Sequence, residues 1–474
     1  MSLSWTADGY WLTRLVFQRA LAALYLIAFV NAVNQFKPLV GERGLLPVPA
    51  WVENVPFRET PSLFYFAPKD WAFTAAAWTG VALSVLVVAG VADRYSWALS
   101  AAIWAVMWAL YLSFVNVGQT FYGFGWESIL LEAGFYAIFL GSARTAPTWI
   151  TLVLLRWLCF RVMFGAGLIK LRGDPCWRDM TCLDYHYETQ PMPNPLSWYL
   201  HWGPLHQAGV WFNHFAELVA PFGYFLPQPV ASIAAIATIA FQATIFASGN
   251  LSWLNVLTMV LAIPALRIPG AAPAVLEPPS IPHKTIVSAL AVMVAWMSVR
   301  PTLNMLSPRQ VMNTTYNPLH LVGTYGAFGS ITRERYEIVV EGTDEAVITE
   351  STKWRAYEFR GKPTDTGRMP PQIAPYHLRL DWLMWFAAMG DYSDNLWFVK
   401  FMGKLLQGDP GTLSLLRSNP FPERPPRYVR AQLWRYRFTT PDERRRTGQW
   451  WNREFARPYF PVVSLETEGL KRFL

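Results

Sequence analysis

Apolar residues in this chain come in blocks. Runs long enough to cross a bilayer's hydrocarbon core, each bounded by charges or proline, cover Val16 to Val33, Trp71 to Ala92, Trp97 to Val117, Gly125 to Leu140, Trp149 to Ile169, Trp211 to Leu226, Val230 to Ala247, Leu251 to Leu266 and Ile286 to Val299. Lipid offers the backbone no hydrogen-bond partner, so each run predicts a helix, about nine in all. Several are short or carry ionisable groups, which loosens the count by one or two helices. The first run is flanked by Asp8, Arg14 and Arg19 and lacks a small-x-small cleavage site, so it reads as a retained helix.

After Val299 the pattern changes. From Pro301 onward charge density rises and period-two alternation begins: Arg335 to Glu341, Ala346 to Thr349 and Lys353 to Phe359 read as short strands joined by turns. Between Tyr376 and Leu406 the period lengthens into two helices, with Leu380, Leu383, Met384, Phe386 and Ala387 on the first. Arg427 to Thr439 returns to strand composition, with Gln432, Trp434, Tyr436 and Phe438 on one face. The expected fold is a polytopic α-helical membrane bundle over residues 1–300 and a C-terminal α+β domain over 308–474.

Composition supports a membrane setting. Of 474 residues 53% are hydrophobic, 15% are charged and 24 are tryptophan, a balance that suits interfacial aromatic belts and not a soluble domain. The net charge of +8 is scattered over helix ends and the C-terminal third, without the aromatic-interleaved basic stripe of a nucleic-acid binder, and Arg444 to Arg446 reads as a solvated turn. In the short loops Arg94, Arg144, Arg267 and Lys284 fall on one face, which marks the cytoplasm. With nine helices, the loops 34–70 and 170–210 and everything after Val299 then lie on the non-cytoplasmic side.

Candidate chemistry gathers near the loop 170–210. Cys176 and Cys182, separated by five residues, predict a structural disulfide in an oxidising compartment; a redox pair is the alternative, although the spacing is not C-x-x-C. Cys159 reads as a buried thiol. Ionisable groups inside membrane helices are costly and point to function or to mutual neutralisation. Glu127 and Glu132 share one run, Arg156, Arg161 and Lys170 another, and His214 and Glu217 a third. The neutralising reading pairs a Glu of the first with Arg156 or Arg161, and His214 with Glu217 at i, i+3. The sharper reading is a polar cavity with Lys170 as base and Glu127, Glu132 or His214 as partner. His186, Glu188, His201 and His206 form a looser cluster without metal-ligand spacing, and Tyr185, Tyr187, Trp198, Tyr199 and Trp202 read as an interfacial belt.

Several stretches carry a resemblance: YGFGWESILLEAGF at 122–135, CWRDMTCLDYHYETQPMPNPLSWYLHW at 176–202, HFAELVAPF at 214–222, VGTYGAFGSITRERYEIVVEGT at 322–343, PYHLRLDWLMWFAA at 375–388, NPF at 419–421 and GQWWNREFARPYFP at 448–461. In this order they resemble the lipase maturation factor family. That resemblance implies a multi-spanning protein whose C-terminal domain lies on the lumenal side and which helps exported lipases fold and assemble, with no cofactor. A client surface would then draw on the C-terminal domain and the loop 171–210, with Trp126, Arg156, Arg161, His186, Glu188, His201 and Glu217 at that surface or a polar cavity. Residue usage suggests a bacterial inner or plasma membrane, and the chain closes on Phe473-Leu474 without a retrieval signal; a eukaryotic source would imply the endoplasmic reticulum. FGAGLIKL at 164–171 is also similar to a helix end of vitamin K-dependent carboxylase, where a lysine is the base. On that footing the alternative function is a membrane enzyme using Lys170 on a lipid or quinone-like substrate. Expected partners are membrane lipid and exported proteins, not nucleic acid.

Overall fold

Among the described residues, six apolar stretches form helices long enough to cross a membrane: Asp8–Val40, Asp70–Val88, Trp97–Val117, Trp149–Arg172, Val230–Ala247 and Ile281–Leu306. The computed structural model describes residues 5–270 and 276–472, so Phe473-Leu474 lies outside the described residues. The protein is polytopic in the membrane and carries a C-terminal α+β domain. The regular helices used below are α1 (Trp11–Val40), α2 (Asp70–Val88), α3 (Trp97–Val117), α4 (Gly125–Ala137), α5 (Trp149–Arg172), α6 (Cys182–Thr189), α7 (Pro195–His201), α8 (His206–His214), α9 (Val230–Ala247), α10 (Leu254–Ala262) and α11 (Ile281–Met297).

Three of the nine expected spans are shorter or irregular. α4 has 13 residues, about 20 Å of rise against a hydrocarbon core of about 30 Å. α8 passes at Phe215 into a π-helical turn, Phe215–Val219, and ends at the short helix Ala220–Gly223. α10 runs nine residues before a 3-10 turn carrying Pro264. α4 can be this short because almost every residue from Trp126 to Ala137 is buried by neighbouring helices and needs no lipid contact.

Loops meet at two ends of the bundle. At one, Ala7 N–H donates to Pro147 O at 2.8 Å, Ala143 N–H to Asp93 O at 3.1 Å, Ala146 N–H to Glu277 O at 3.0 Å, and Thr13 Oγ1 to Leu266 O at 2.9 Å. At the other, Asn116 Nδ2 donates to Pro61 O and Pro318 O, and Asp174 N–H to Gly329 O at 2.9 Å. The C-terminal domain sits on this second end.

That domain is built on strands β1 (Arg335–Thr343), β2 (Arg355–Ala356), β3 (Tyr428–Phe438) and β4 (Trp451–Val463), antiparallel in the order β2-β1-β3-β4. The expected strand at 346–349 does not form, and the one at 353–359 shrinks to two ladder residues. Arg444 to Arg446 are not a turn but part of a short helix, Pro441–Thr447, whose Thr440 and Glu443 make a capping box. β3 buries Val429, Ala431 and Leu433 at one end but Tyr436 and Phe438 at the other. The expected face therefore holds only for the second half, because helices cover one face of the sheet at its first end and Trp198 joins the opposite face at its second. The two expected helices are α12 (Arg379–Ala387) and α13 (Leu396–Gln407); Phe398 of α13 meets Tyr459 and Phe460 of β4 edge-on.

Candidate functional site

α5 is the axis of the site. Its three internal cations each find a different solution to burial, and only one of these is the expected neutralisation within the bundle. Arg161 forms a bidentate pair with Glu132 of α4, and its Nη1 also donates to Gly323 O at 2.7 Å. Glu132 accepts further from Tyr136 at 2.6 Å and Tyr325 at 2.7 Å, so the carboxylate is saturated. Among the described residues Arg156 has no carboxylate partner. It donates to Pro264 O and Tyr224 O, both at 3.0 Å, and lies over the rings of Tyr10 and Trp149.

Glu127 is not neutralised from within the bundle at all. Its cation is Arg379, at the start of α12 in the C-terminal domain, 2.7 Å away and fully buried. Tyr111 also donates to Glu127. Arg379 also donates through Nε to Asn31 Oδ1 (2.8 Å) and through Nη1 to Phe121 O (2.7 Å) and stacks over Tyr122. Its backbone N–H donates to Gln35 Oε1, and Asn31 and Gln35 return amide bonds to His377 O. Sequence reasoning missed Arg379 because it sought partners among the membrane runs. The available signal was a cation and Asp381 set within the apolar periodicity of a helix, as HLRLDW.

Lys170, at the end of α5, donates to Asn213 Oδ1 and Glu217 Oε1, both at 2.7 Å, and faces the Trp177 ring at 4.8 Å. Asn213 Nδ2 closes the triangle on Glu217 Oε2. The π-helical turn carries Glu217, a placement that inserts one residue into the helical register and that recurs at functional sites. His214 does not pair with Glu217. It bonds Trp177 O through Nε2 at 2.9 Å and so steadies the indole that covers Lys170.

Cys176 and Cys182 are joined by a disulfide, packed with Trp177, Val210 and Ile331; Cys159 is free and buried. The loop that carries the disulfide is fastened to the C-terminal domain. Arg333 pairs with Asp174 at 2.8 Å and holds its carboxyl down at about 2. Arg335, buried, donates to Glu188 O, Pro191 O and Glu337, while Glu188 Oε2 accepts the Phe438 N–H at 2.7 Å. His186 and His201 are partly buried. Burial, aided by Lys170 for His186 and by His206 for His201, pushes each imidazole down to about 4. Both are therefore neutral at physiological pH, and Glu188 is a fastening and not an open contact.

Beside Lys170 lies a cavity of about 940 Å³ between the bundle and the C-terminal domain. Trp126, Lys170, His186, Asn213 and Glu217 line it, as do Trp382 and Trp385 from α12. Glu127, Glu132, His214, Arg156, Arg161, Glu188 and His201 do not. The expected base-and-partner set thus reduces at the cavity to Lys170, and its charge is already held by Glu217. Among the described residues no group of three or more His, Cys, Asp or Glu could hold a metal ion.

Neutralised buried carboxylates, a loop locked to a second domain and a largely apolar cavity define a membrane protein whose polar core holds its two domains together. Comparison with known proteins gives the family. The model described as "Lipase maturation factor transmembrane domain" matches residues 12–268, and "Lipase maturation factor C-terminal domain" matches 321–461. The chain is 43% identical to lipase maturation factor 1 of Bos taurus over 97% of this chain and 90% of the relative. It is 43% identical to lipase maturation factor 1 of Homo sapiens, covering 96% and 88%. With lipase maturation factor 2 of Homo sapiens the identity is 28%, covering 98% and 84%. No solved structure matches. The chain belongs to the lipase maturation factor family.

Proposed function

We propose that this protein is a membrane-embedded maturation factor for exported lipases. The single observation that carries this reading is the family match, which covers both the bundle and the C-terminal domain. The geometry supports it in two ways. Each of the three buried carboxylates around α5 is neutralised by a cation, which leaves no free acid and base pair at the cavity. The loop 171–210 and the C-terminal domain form one fastened surface, on which Tyr199, Trp202 and Leu205 remain exposed for an unfolded client's apolar groups.

In this reading residues 1–300 cross the membrane in nine passages and 308–474 form a domain on the non-cytoplasmic side, where exported clients fold. Supporting it, Arg94, Arg144 and Arg267 lie between the long helices at the end opposite the C-terminal domain, and Lys284 lies in the first turn of α11 at that same end. Protease added to sealed, right-side-out vesicles is expected to cut within 344–354 without permeabilisation; protection of that segment until the vesicles are opened reverses the topology.

The functional test is co-expression of an exported lipase with wild type, with Trp202→Ser/Leu205→Ser, or with empty vector, scored as secreted activity per unit of lipase protein. Wild type should raise it, and the surface variant should lose the gain while accumulating normally. An unchanged specific activity with abundant wild type sinks the proposal.

A further inference from the structure

The arginines of the short helix Pro441–Thr447 are not alike. Arg445 pairs with Asp442, both largely exposed. The Arg444 guanidinium instead lies over the Trp450 ring, 3.1 Å from its centre, and 5.3 Å from the centre of the Trp198 ring. Among the described residues no carboxylate pairs with it and no acceptor takes a hydrogen bond from its side chain. The carboxylates nearest in sequence are already engaged: Asp442 by Arg445, and Glu443 by Arg437, the Thr440 N–H and Asn452 Nδ2. A guanidinium held on an indole has a face covered and its edge N–H groups free, the arrangement that suits a two-pronged bond to a carboxylate.

Arg444 borders an open pocket of about 510 Å³, where α7 and the residue after it meet the arginine helix. Trp198, Tyr199 and Trp202 form one side, and Arg444, Arg445 and Gly448 belong to the other; among the described residues no acidic side chain lines it. Trp198 is buried and its Nε1 donates to Thr439 O at 2.8 Å, which holds that side in place, whereas Tyr199 and Trp202 are exposed. Gly448 leaves the mouth open, since a Cβ there would meet nothing within 4 Å. At roughly 30 Å³ per water-sized group, 510 Å³ takes about seventeen non-hydrogen atoms, the size of an acidic residue and one large neighbour. A cation without an anion calls for an anionic partner, and the aromatic side calls for an apolar group next to it. A bilayer surface fits this patch poorly, because lipid phosphates would also press on Asp442, 78% exposed on the same helix, while a single carboxylate can seat on Arg444 alone.

We infer that this pocket selects acidic-apolar segments of the unfolded client: an Asp or Glu carboxylate of the client sits on the Arg444 guanidinium, and the apolar residue beside it lies on Tyr199 and Trp202. The inference deepens the maturation reading and rests on it, since that reading supplies the client. It adds a charge requirement to a surface that exposed aromatics alone would make indifferent to sequence.

The experiment is fluorescence anisotropy of two labelled, unstructured peptides, Gly-Ser-Phe-Glu-Leu-Ser-Gly and the same peptide with Gln in place of Glu, on the full chain in phosphatidylcholine nanodiscs. The Glu peptide should bind about tenfold more tightly than the Gln peptide, the scale of one charge-assisted pair. Arg444→Met should erase that difference by weakening the Glu peptide alone, and Arg444→Lys, which keeps the charge without the fork, should retain part of it. A merely structural Arg444 would instead move both peptides together. Should Arg444→Met fail to fold, Arg445→Glu at the exposed rim still decides, by weakening the Glu peptide several-fold and sparing the Gln peptide. Equal affinity for the two peptides, or no binding of either, overturns the assignment. So does loss of Glu-peptide binding when phosphatidylglycerol replaces part of the phosphatidylcholine, which would give the pocket to a lipid phosphate. Secreted-lipase activity separates this inference from the reading beneath it: if wild type raises the activity and Arg444→Met raises it equally, the pocket fails and the maturation reading stands, whereas no gain from wild type sinks that reading and its client together.

Discussion

Glu127 and Arg379 are both fully buried, so removing either leaves a charge without water or partner. Arg379→Met should cost about 3–5 kcal/mol and lower Tm in detergent, whereas Glu127→Leu/Arg379→Met should recover most of that loss. A double variant no better than the single would show that the guanidinium serves through Asn31 and Phe121 and not through the carboxylate. Exposed pairs behave otherwise: Arg435, half-exposed beside Glu334, should be replaceable by Ala without a measurable shift. Histidines give the pH dependence. His186, His201 and His320 fall from the ordinary 6.5 to about 4 in the fold, chiefly through burial. Because the folded value is depressed, their stabilisation is fully present above 6.5 and is lost as pH falls toward 4, where the unfolded chain takes up protons the folded one refuses. Tm should therefore decline from neutral to about pH 4, and His201→Gln should flatten the decline. A slope unchanged in His201→Gln, His186→Gln and His320→Gln together would refute this account.

At the scale of elements the disulfide loop is the piece to perturb. It closes seven residues and tucks Trp177 over Lys170, so Cys176→Ser should cost about 2 kcal/mol by the chain-entropy estimate. It should also loosen 173–190 to hydrogen exchange before the bundle opens; uniform loss of protection would mean that the bridge supports the whole fold equally. This loop was legible in the sequence, because two thiols so close in one loop have a restricted set of uses. The six long helices were legible for a related reason: lipid leaves the backbone one solution, and runs of that length declare it. α4 and α10 were overestimated in length because hydropathy does not separate a helix facing lipid from one wrapped in protein. β4 went unread since Pro458, Pro461 and the four charged or amide side chains Asn452, Arg453, Glu454 and Arg457 break its pattern, all of which an edge strand tolerates. Of the site, the Glu132–Arg161 pair was among the expected combinations. Glu217 was assigned to its helical neighbour His214, because an i, i+3 spacing assumes 3.6 residues per turn and the π-helical turn there does not keep it.

For the whole molecule, the remaining question is whether bundle and C-terminal domain are separable. Arg379 answers it physically: a domain meant to detach would not sink a cation among Asn31, Phe121 and Glu127. In a chain ending at 306, Glu127 keeps the Tyr111 hydroxyl but loses its cation, and the bundle then holds an uncompensated carboxylate. The effect of Glu127→Gln should consequently change sign with context. In the full chain it strands Arg379 and lowers Tm; in residues 1–306 it removes the orphaned charge and raises Tm and the monodisperse yield in detergent. The same sign in both chains would mean that the Glu127–Arg379 contact is incidental to the union of the domains. Opposite signs would make it the electrostatic latch that obliges the C-terminal domain to remain seated on its membrane base.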